Sequence, residues 1–356
     1  MSSSQSEALG WDFYFQQQLS SQEQSALVPA RVMNVHKSGL HIVAPGLDCQ
    51  VAQIDDENRR ATVGDWLLFD PQKQRAVRCL ARKSLFKRIA PGTERREQLI
   101  AANVDTVFIV SSCNQDFNEA RLERYLAIAR EAGVMAVVVL TKADLCEDPA
   151  AFIQRAAGLA PAIVVEAVNA LAIDSLDCLQ SWLGKGQTIA LLGSSGVGKT
   201  TLSNTLMGLP LIRGEHGAGG LATAAIREDD ARGRHTTTSR SLHLLPGGAW
   251  LMDTPGMREL QISDVKAGLE DVFAEISVLV RQCRFSDCEH QEEPGCAVQA
   301  ALDAGTIDED RLKRWRKLAR EEAHNSATIA EKREQGRKFG RMYKDAINAK
   351  KLQNRN

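Results

Sequence analysis

The sequence predicts a multidomain fold: an N-terminal OB-fold β-barrel, a central α/β domain built on a phosphate-binding loop, and a C-terminal α-helical domain knotted by a metal. Three observations carry it. Short β-like runs divided by turn residues fill 26–86, and strand and helix patterns then alternate as far as a glycine-rich stretch, 193–201. Beyond that, Cys283-x4-Cys288-x-His290-x5-Cys296 precedes a long charged segment.

Composition sets the outer bounds. A chain of 356 residues exceeds one compact core and suggests two or three domains. With 44% hydrophobic and 25% charged residues it belongs among soluble globular proteins. The formal net charge of -1 implies no nucleic-acid partner by itself, yet the segment from Arg311 onward is rich in Lys and Arg, which hints at an anionic partner. Cys49, Cys79, Cys113, Cys146 and Cys178 follow no regular spacing and read as reduced thiols. No signal-peptide pattern opens the chain and no apolar run approaches about 18 residues, so the expected location is the cytoplasm, with no membrane association.

Residues 1–25 are rich in Ser and Gln and read as a mobile arm, with a short helix near Trp11 to Phe15. In 26–86, runs at Ala30–Val35, Leu40–Ala44, Cys49–Ile54, Asp65–Phe69 and Ala76–Leu80 suit a small barrel of the OB type. Such barrels bind single-stranded nucleic acid through aromatics and cations. Only Trp66, Phe69 and Phe86 are at hand, so a barrel that merely docks on a partner is an equal reading. Lys83, Lys87, Arg88, Arg95 and Arg96 line a loop-like stretch that either meets phosphates or is a solvated linker.

The α/β domain, 87–262, alternates strand Val104–Ser111, helix Asn118–Ala132, strand Val134–Leu140, helix Pro149–Leu159, strand Ile163–Val165 and helix Ile173–Leu183. That order means a parallel sheet covered on both faces, with ligands at the carboxyl ends of its strands. The long stretch Gly214 to Thr238 lacks hydrophobic periodicity, and a hairpin over 240–252 leads into Asp253-Thr-Pro-Gly256. Helical patterns over 264–281 and 308–351 flank the cysteine cluster in the last domain, 263–356.

Four motifs carry chemistry. Gly193, Ser194, Ser195, Gly196, Val197, Gly198, Lys199, Thr200 and Thr201 fit G-x-x-x-x-G-K-T between an apolar run and a helix start. Glycines let backbone N–H groups turn inward around a polyphosphate, and the helix behind them points its unpaired amides there. Lys199 reaches the β- and γ-phosphates and Thr200 offers its hydroxyl to Mg²⁺. Asp253 sits where such domains place a carboxylate for the magnesium shell, and Gly256 lets its amide approach the γ-phosphate. Thr141, Lys142, Ala143 and Asp144 form T-K-A-D at a strand end. A carboxylate at Asp144 accepts two hydrogen bonds from the guanine edge, which adenine does not match, while the Lys142 stem lies along the base. Alone, T-K-A-D is a common surface-loop sequence; behind a strand, beside two other nucleotide motifs, it reads as a guanine selector. It precedes the phosphate loop, so the motif order is circularly permuted relative to Ras-like GTPases, and Gly256 is the last nucleotide motif before the cysteine cluster. Cys283, Cys288, His290 and Cys296 make a closed, structural Zn²⁺ set.

Taken together, the permuted T-K-x-D, G-x-x-x-x-G-K-T and D-T-P-G motifs, the barrel, the zinc spacing and Gly233-Arg-His-Thr-Thr-Thr238 resemble the bacterial small-subunit-dependent GTPases of the RsgA (YjeQ/YloQ/EngC) family over about 26–351. The resemblance implies a circularly permuted GTPase that binds GTP/GDP with Mg²⁺ and one Zn²⁺, acts on the 30S ribosomal subunit and its 16S rRNA in late maturation, and leaves on GTP hydrolysis as a monomer. It also implies that 233–238 is the first switch loop, that Thr237 completes the Mg²⁺ shell, that His235 positions water as the catalytic residue, and that Asn169-Ala170 offers a backbone amide to guanine. Two departures stand out. Thr141 replaces the commoner Asn, which weakens the bracing of its loop, and Met257 replaces the water-orienting Gln, so turnover in isolation is expected to be slow.

The cations Arg311, Lys313, Arg314, Arg316 and Lys317, then Lys332, Arg333, Arg337, Lys338 and Arg341, present helical faces suited to rRNA phosphates, or a solvated face. A P-loop ATPase or kinase, and an RNA-binding scaffold with nucleotide as a structural ligand, are the alternatives of different class.

Overall fold

The computed structural model describes residues 3–36, 38–54, 60–89, 97–209, 240–253, 265–291 and 293–326. Strands β1 (Val28–His36), β2 (Gly39–Ala44), β3 (Leu47–Val51), β4 (Trp66–Asp70) and β5 (Arg75–Cys79) are antiparallel in the order β3-β2-β1-β4-β5. This five-stranded unit closes over Ala30, Val32, Leu40, Ile42, Leu67 and Phe69. Strand β4 is buried on both sides, because Trp66 and Leu68 point away from that core into a second one.

What covers Trp66 is the segment read above as a mobile arm. Residues 3–26 fold instead as α1 (Ser3–Ala8), α2 (Phe13–Gln16) and α3 (Ser21–Ala26). Trp11 meets Trp66 edge-on at 4.8 Å between centroids, and Phe15 is buried beside it. The Tyr14 hydroxyl donates to the Arg82 carbonyl at 2.9 Å, and the Trp250 indole donates to the Ala8 carbonyl at 2.8 Å. Averaging a Ser/Gln-rich window hides three aromatic anchors in five residues, and burying such rings outweighs the ordering entropy of a short segment. Trp66, Phe69 and Phe86 are each about 1% exposed, so none is available to stack on a base.

The stretch expected as a basic loop is a two-stranded ribbon, β6 (Leu85–Ile89) with β7 (Glu97–Ala102). Lys87 pairs with Glu97 at 2.8 Å across it. The α/β part then runs β8 (Thr106–Ser112), α4 (Glu119–Glu131), β9 (Met135–Thr141), α5 (Pro149–Ala157), β10 (Val164–Ala167), a 3-10 stretch at Ile173–Trp182, β11 (Thr188–Gly193), α6 (Lys199–Leu206), β12 (Arg240–Leu244) and β13 (Trp250–Asp253). Strands β10-β9-β8-β11-β13 are parallel, and β8, buried along its whole length, packs Val107 and Ile109 on one face and Phe108 and Val110 on the other. Strand β12 is antiparallel to both β13 and β1, so the barrel strands and the α/β sheet are one hydrogen-bonded sheet.

The C-terminal helices α7 (Lys266–Val272), α8 (Ala274–Val280), α9 (Ala297–Asp303) and α10 (Glu309–Ser326) bury Leu269, Val272, Phe273, Ile276, Val298 and Leu312 in the same core as the inner face of α4. Helix α7 crosses α4 at Gly268, where a Cβ would lie 2.1 Å from the Ala127 carbonyl oxygen, so only glycine permits that approach. Among the described residues no helix is long and apolar enough to cross a membrane.

Candidate nucleotide site and metal knot

The phosphate loop begins where β11 ends, next to β8 and β13 in the sheet. Gly196 and Gly198 hold φ of +79° and +92°, in the left-handed region that side chains resist, and Gly198 caps α6. This conformation turns the loop back over the first turn of α6, whose leading amides have no partner within the helix. Lys199 is buried, and its ammonium donates to the Ser194 carbonyl within the same loop. Among the described residues the Thr200 hydroxyl is a buried polar atom without a hydrogen-bond partner. An orphaned oxygen at the first turn of this helix fits a magnesium ligand.

The guanine-selector motif lies against the same loop. Thr141 ends β9 fully buried, with its Oγ1 2.6 Å from the Val197 carbonyl oxygen and 3.1 Å from that of Ser111. One hydroxyl proton serves one acceptor at a time, and the shorter distance assigns it to Val197. Lys142, held at a φ of 60°, donates from Nζ to the Gly196 carbonyl at 3.0 Å. The bracing expected to weaken with Thr in place of Asn is therefore made by the hydroxyl itself. Asp144 sits on the 3-10 turn Ala143–Leu145 with its side chain in solvent. The Ala143 amide donates to the Val168 carbonyl at 3.3 Å, tying this turn to the loop behind β10 that carries Asn169 and Ala170. That loop is fastened in turn to α6, since the Thr205 hydroxyl donates to the Ala170 carbonyl at 2.6 Å.

The carboxyl ends of β9, β10 and β11 thus bring 141–144, 169–170 and 193–201 together. Asp253 closes β13, parallel to β11 in the same sheet. His235, Thr237, Gly256 and Met257 lie outside the described residues, as do Arg95, Arg96 and the basic run after 326. Motif reading missed one member of this cluster: Arg121, in the first turn of α4, donates from Nη1 to the Ser194 Oγ at 2.7 Å. Nothing in the sequence flags it, because α4 carries no nucleotide motif.

Cys283, Cys288, His290 and Cys296 place their ligand atoms within 4.8 Å of one another. Cys283 Sγ and Cys296 Sγ lie 3.5 and 3.6 Å from His290 Nδ1 and 3.9 Å apart. With metal–sulfur bonds of about 2.3 Å these separations suit the corners of one tetrahedron, so the residues fit a structural Zn²⁺ with no open position. Burial first, then the nearby Arg316 cation, push the His290 imidazole below its ordinary pKa, which keeps a ring lone pair available. The His290 carbonyl accepts from Gln299 Nε2 at 2.9 Å and from Arg316, and Cys296 caps α9.

Helix α10 does not present all of its cations outward. Arg311 is buried and Arg314 partly so, both bonded to Glu123 of α4 at 2.7 and 2.8 Å. Lys313, Lys317 and Arg320 are the exposed cations of this helix.

Comparison with known proteins agrees with this geometry. The model of the RsgA GTPase family matches residues 79–263. The chain is 48% identical over 343 residues to a small ribosomal subunit biogenesis GTPase RsgA 2 of Vibrio parahaemolyticus, covering 96% of this chain and 93% of that protein. It is 50% identical over 324 residues to small ribosomal subunit biogenesis GTPase RsgA of Mesorhizobium japonicum, covering 89% of this chain and 90% of that one. Among solved structures, YjeQ from Thermotoga maritima superposes with a TM-score of 0.59 at 23% identity, over 82% of this chain and 97% of the other. YloQ, described as a circularly permuted GTPase, gives 0.57 at 19%, over 85% and 97%.

Proposed function

From the premise that this chain belongs to the RsgA GTPase family and is a GTP hydrolase, we propose that it serves biogenesis of the small ribosomal subunit, binding the 30S particle through 16S rRNA in the GTP state and leaving after hydrolysis. It does so as a cytoplasmic monomer. The contact between the selector motif and the phosphate loop, through Thr141 to Val197 and Lys142 to Gly196, carries this reading. It supports one guanine nucleotide spanning motifs that the sequence encodes in permuted order.

In this site the 193–201 amides and Lys199 bind the phosphates, and the Lys142 stem lies along the base that Asp144 selects by its edge. Thr200, Asp253 and Thr237 would hold Mg²⁺, which would supply neutralisation of phosphate charge. Gly256 offers its amide to the γ-phosphate, His235 positions the attacking water, and the Asn169-Ala170 backbone completes the guanine contact. With Met257 where a Gln orients water in Ras-like enzymes, turnover is slow in isolation. The 30S particle then supplies or orders groups that raise it, by about 10³- to 10⁵-fold if it acts as other activating partners do. Cys283, Cys288, His290 and Cys296 would hold a Zn²⁺ that would supply the cross-link of the C-terminal knot, which faces rRNA together with the exposed cations of α10.

Single-turnover GTP hydrolysis, measured with and without purified 30S subunits, tests the proposal. Stimulation by the particle is expected; equal rates would remove the 30S-activated part, and preference for ATP would remove the guanine assignment.

A further inference from the structure

We propose that Arg121 is a positioning residue that couples the phosphate loop to the C-terminal helix α10, with α4 as the rigid body between them; this rests on the nucleotide assignment above. Two residues apart on an α-helix is a rotation of about 200°, so Arg121 and Glu123 point to opposite sides of α4. Arg121 faces the loop and bonds Ser194, whose carbonyl also receives the Lys199 ammonium. Glu123 faces α10 and is fully buried between Arg311 and Arg314.

The grip on the α10 side is extensive. Arg311 also bonds Glu275 at 2.9 Å and the Val272 carbonyl at 2.8 Å, and its guanidinium stacks 4.1 Å from the Phe273 ring centre. One turn before Glu123, Glu119 meets Arg314 at 3.1 Å, and at the next position Arg124 forms a two-pronged pair with Glu321. A fully buried carboxylate between two guanidiniums leaves an uncompensated charge if either side withdraws, so this contact is made or broken as a unit. On the other face, Arg121 bonds the phosphate loop through the Ser194 hydroxyl.

The consequence is reciprocal. Nucleotide that fixes the Ser194–Lys199 loop fixes the seat of Arg121, and through α4 it favours the docked α10; a docked α10 raises nucleotide affinity by the same factor. The coupling also makes α10, which carries exposed cations at Lys313, Lys317 and Arg320, a surface whose docking reads the nucleotide pocket.

Amide hydrogen exchange of the full chain, with and without saturating GDP and a non-hydrolysable GTP analogue, tests it in the wild type and in Arg121→Ala. Arg121 is partly exposed and its loss leaves the Glu123 grip intact, so the variant should fold. Nucleotide should slow exchange over 309–326 by several-fold in the wild type and leave it unchanged in Arg121→Ala at saturation, with Arg121→Lys partly restoring the effect. Equal protection in both chains, or none in the wild type, overturns the coupling while leaving the GTPase assignment standing. A wild-type chain that binds no guanine nucleotide overturns the assignment first. A second readout, the affinity for a fluorescent GDP, should fall on Arg124→Ala in the wild-type background but not in Arg121→Ala; equal changes in both backgrounds count against the coupling.

Discussion

The nucleotide site and the cysteine knot are organised by opposite means. The loops at 141–144 and 193–201 hang from β9 and β11, strands buried along nearly their whole length, and 169–170 follows the half-buried β10; neighbouring backbone and side-chain bonds hold all three. Among the described residues of the knot at 283–296 there is no helix or strand: its ligands sit on turns and bends, Cys288 is half-buried, and Arg284 and Phe285 are exposed. The first region owes its shape to a core; the second owes it to four ligand atoms. A ligand should therefore add affinity in one place and fold in the other.

The sharpest way to break this contrast is to remove the metal. Dialysis of the full chain against a strong chelator, or Cys296→Ser, should unfold 283–296 and loosen α9, since comparable zinc peptides gain roughly 10 to 16 kcal/mol from the metal. Guanine nucleotide binding, followed by calorimetry, should persist in weakened form. Complete loss would mean that the sheet does not hold the phosphate loop unaided. Next in size is Lys199→Ala, which should abolish measurable nucleotide binding while far-ultraviolet circular dichroism stays unchanged. Asp144→Asn should then shift preference from guanine towards xanthine nucleotides, by about 10²-fold or more as the hydrogen-bonding edge is inverted. An unaltered preference would dissociate the exposed Asp144 from base selection.

How much of this could be read beforehand follows the same divide. The phosphate loop, the selector and the knot are short-range patterns, and the structure brings the members of each together because local spacing alone defines them. The strand and helix order was legible for the same reason, with β8, β9 and α4 lying within a residue or two of the apolar runs that predict them. Three features were not legible. The N-terminal helices depend on Trp11 and Phe15 finding Trp66, more than fifty residues away. The single continuous sheet depends on β12 choosing β1, a long-range pairing that no periodicity encodes. Arg311 and Arg314 read as a cationic face because their counter-charge, Glu123, lies almost two hundred residues earlier.

Smaller effects probe how the nucleotide loops are held. Thr141→Ala removes the hydroxyl that bonds the Val197 carbonyl and leaves that buried acceptor without it, so stability should drop by about 1 to 3 kcal/mol in chemical denaturation. Thr141→Ser keeps the donor and should recover most of the loss.

The smallest expected effect lies at the docked N-terminal segment. Glu23 accepts from the amide of Ser20, the N-cap of α3, and pairs with Arg78 at 2.7 Å; that guanidinium, then the Ser20 amide, lower its carboxyl to about 2. A depressed folded value means that the stabilisation is complete above the ordinary carboxylate value of about 4.5 and is lost as pH falls towards 2. The pair is part-exposed, so the contribution is modest and screened by salt. Acid titration should therefore release α3 gradually between those limits, detected as a falling protection factor of the amides over 21–26, each rate being referred to the intrinsic rate at its pH, with the change removed in Glu23→Gln. If the protection of 21–26 stays constant across that range, Trp11 and Phe15 hold the segment without the ion pair, and its docking is apolar throughout.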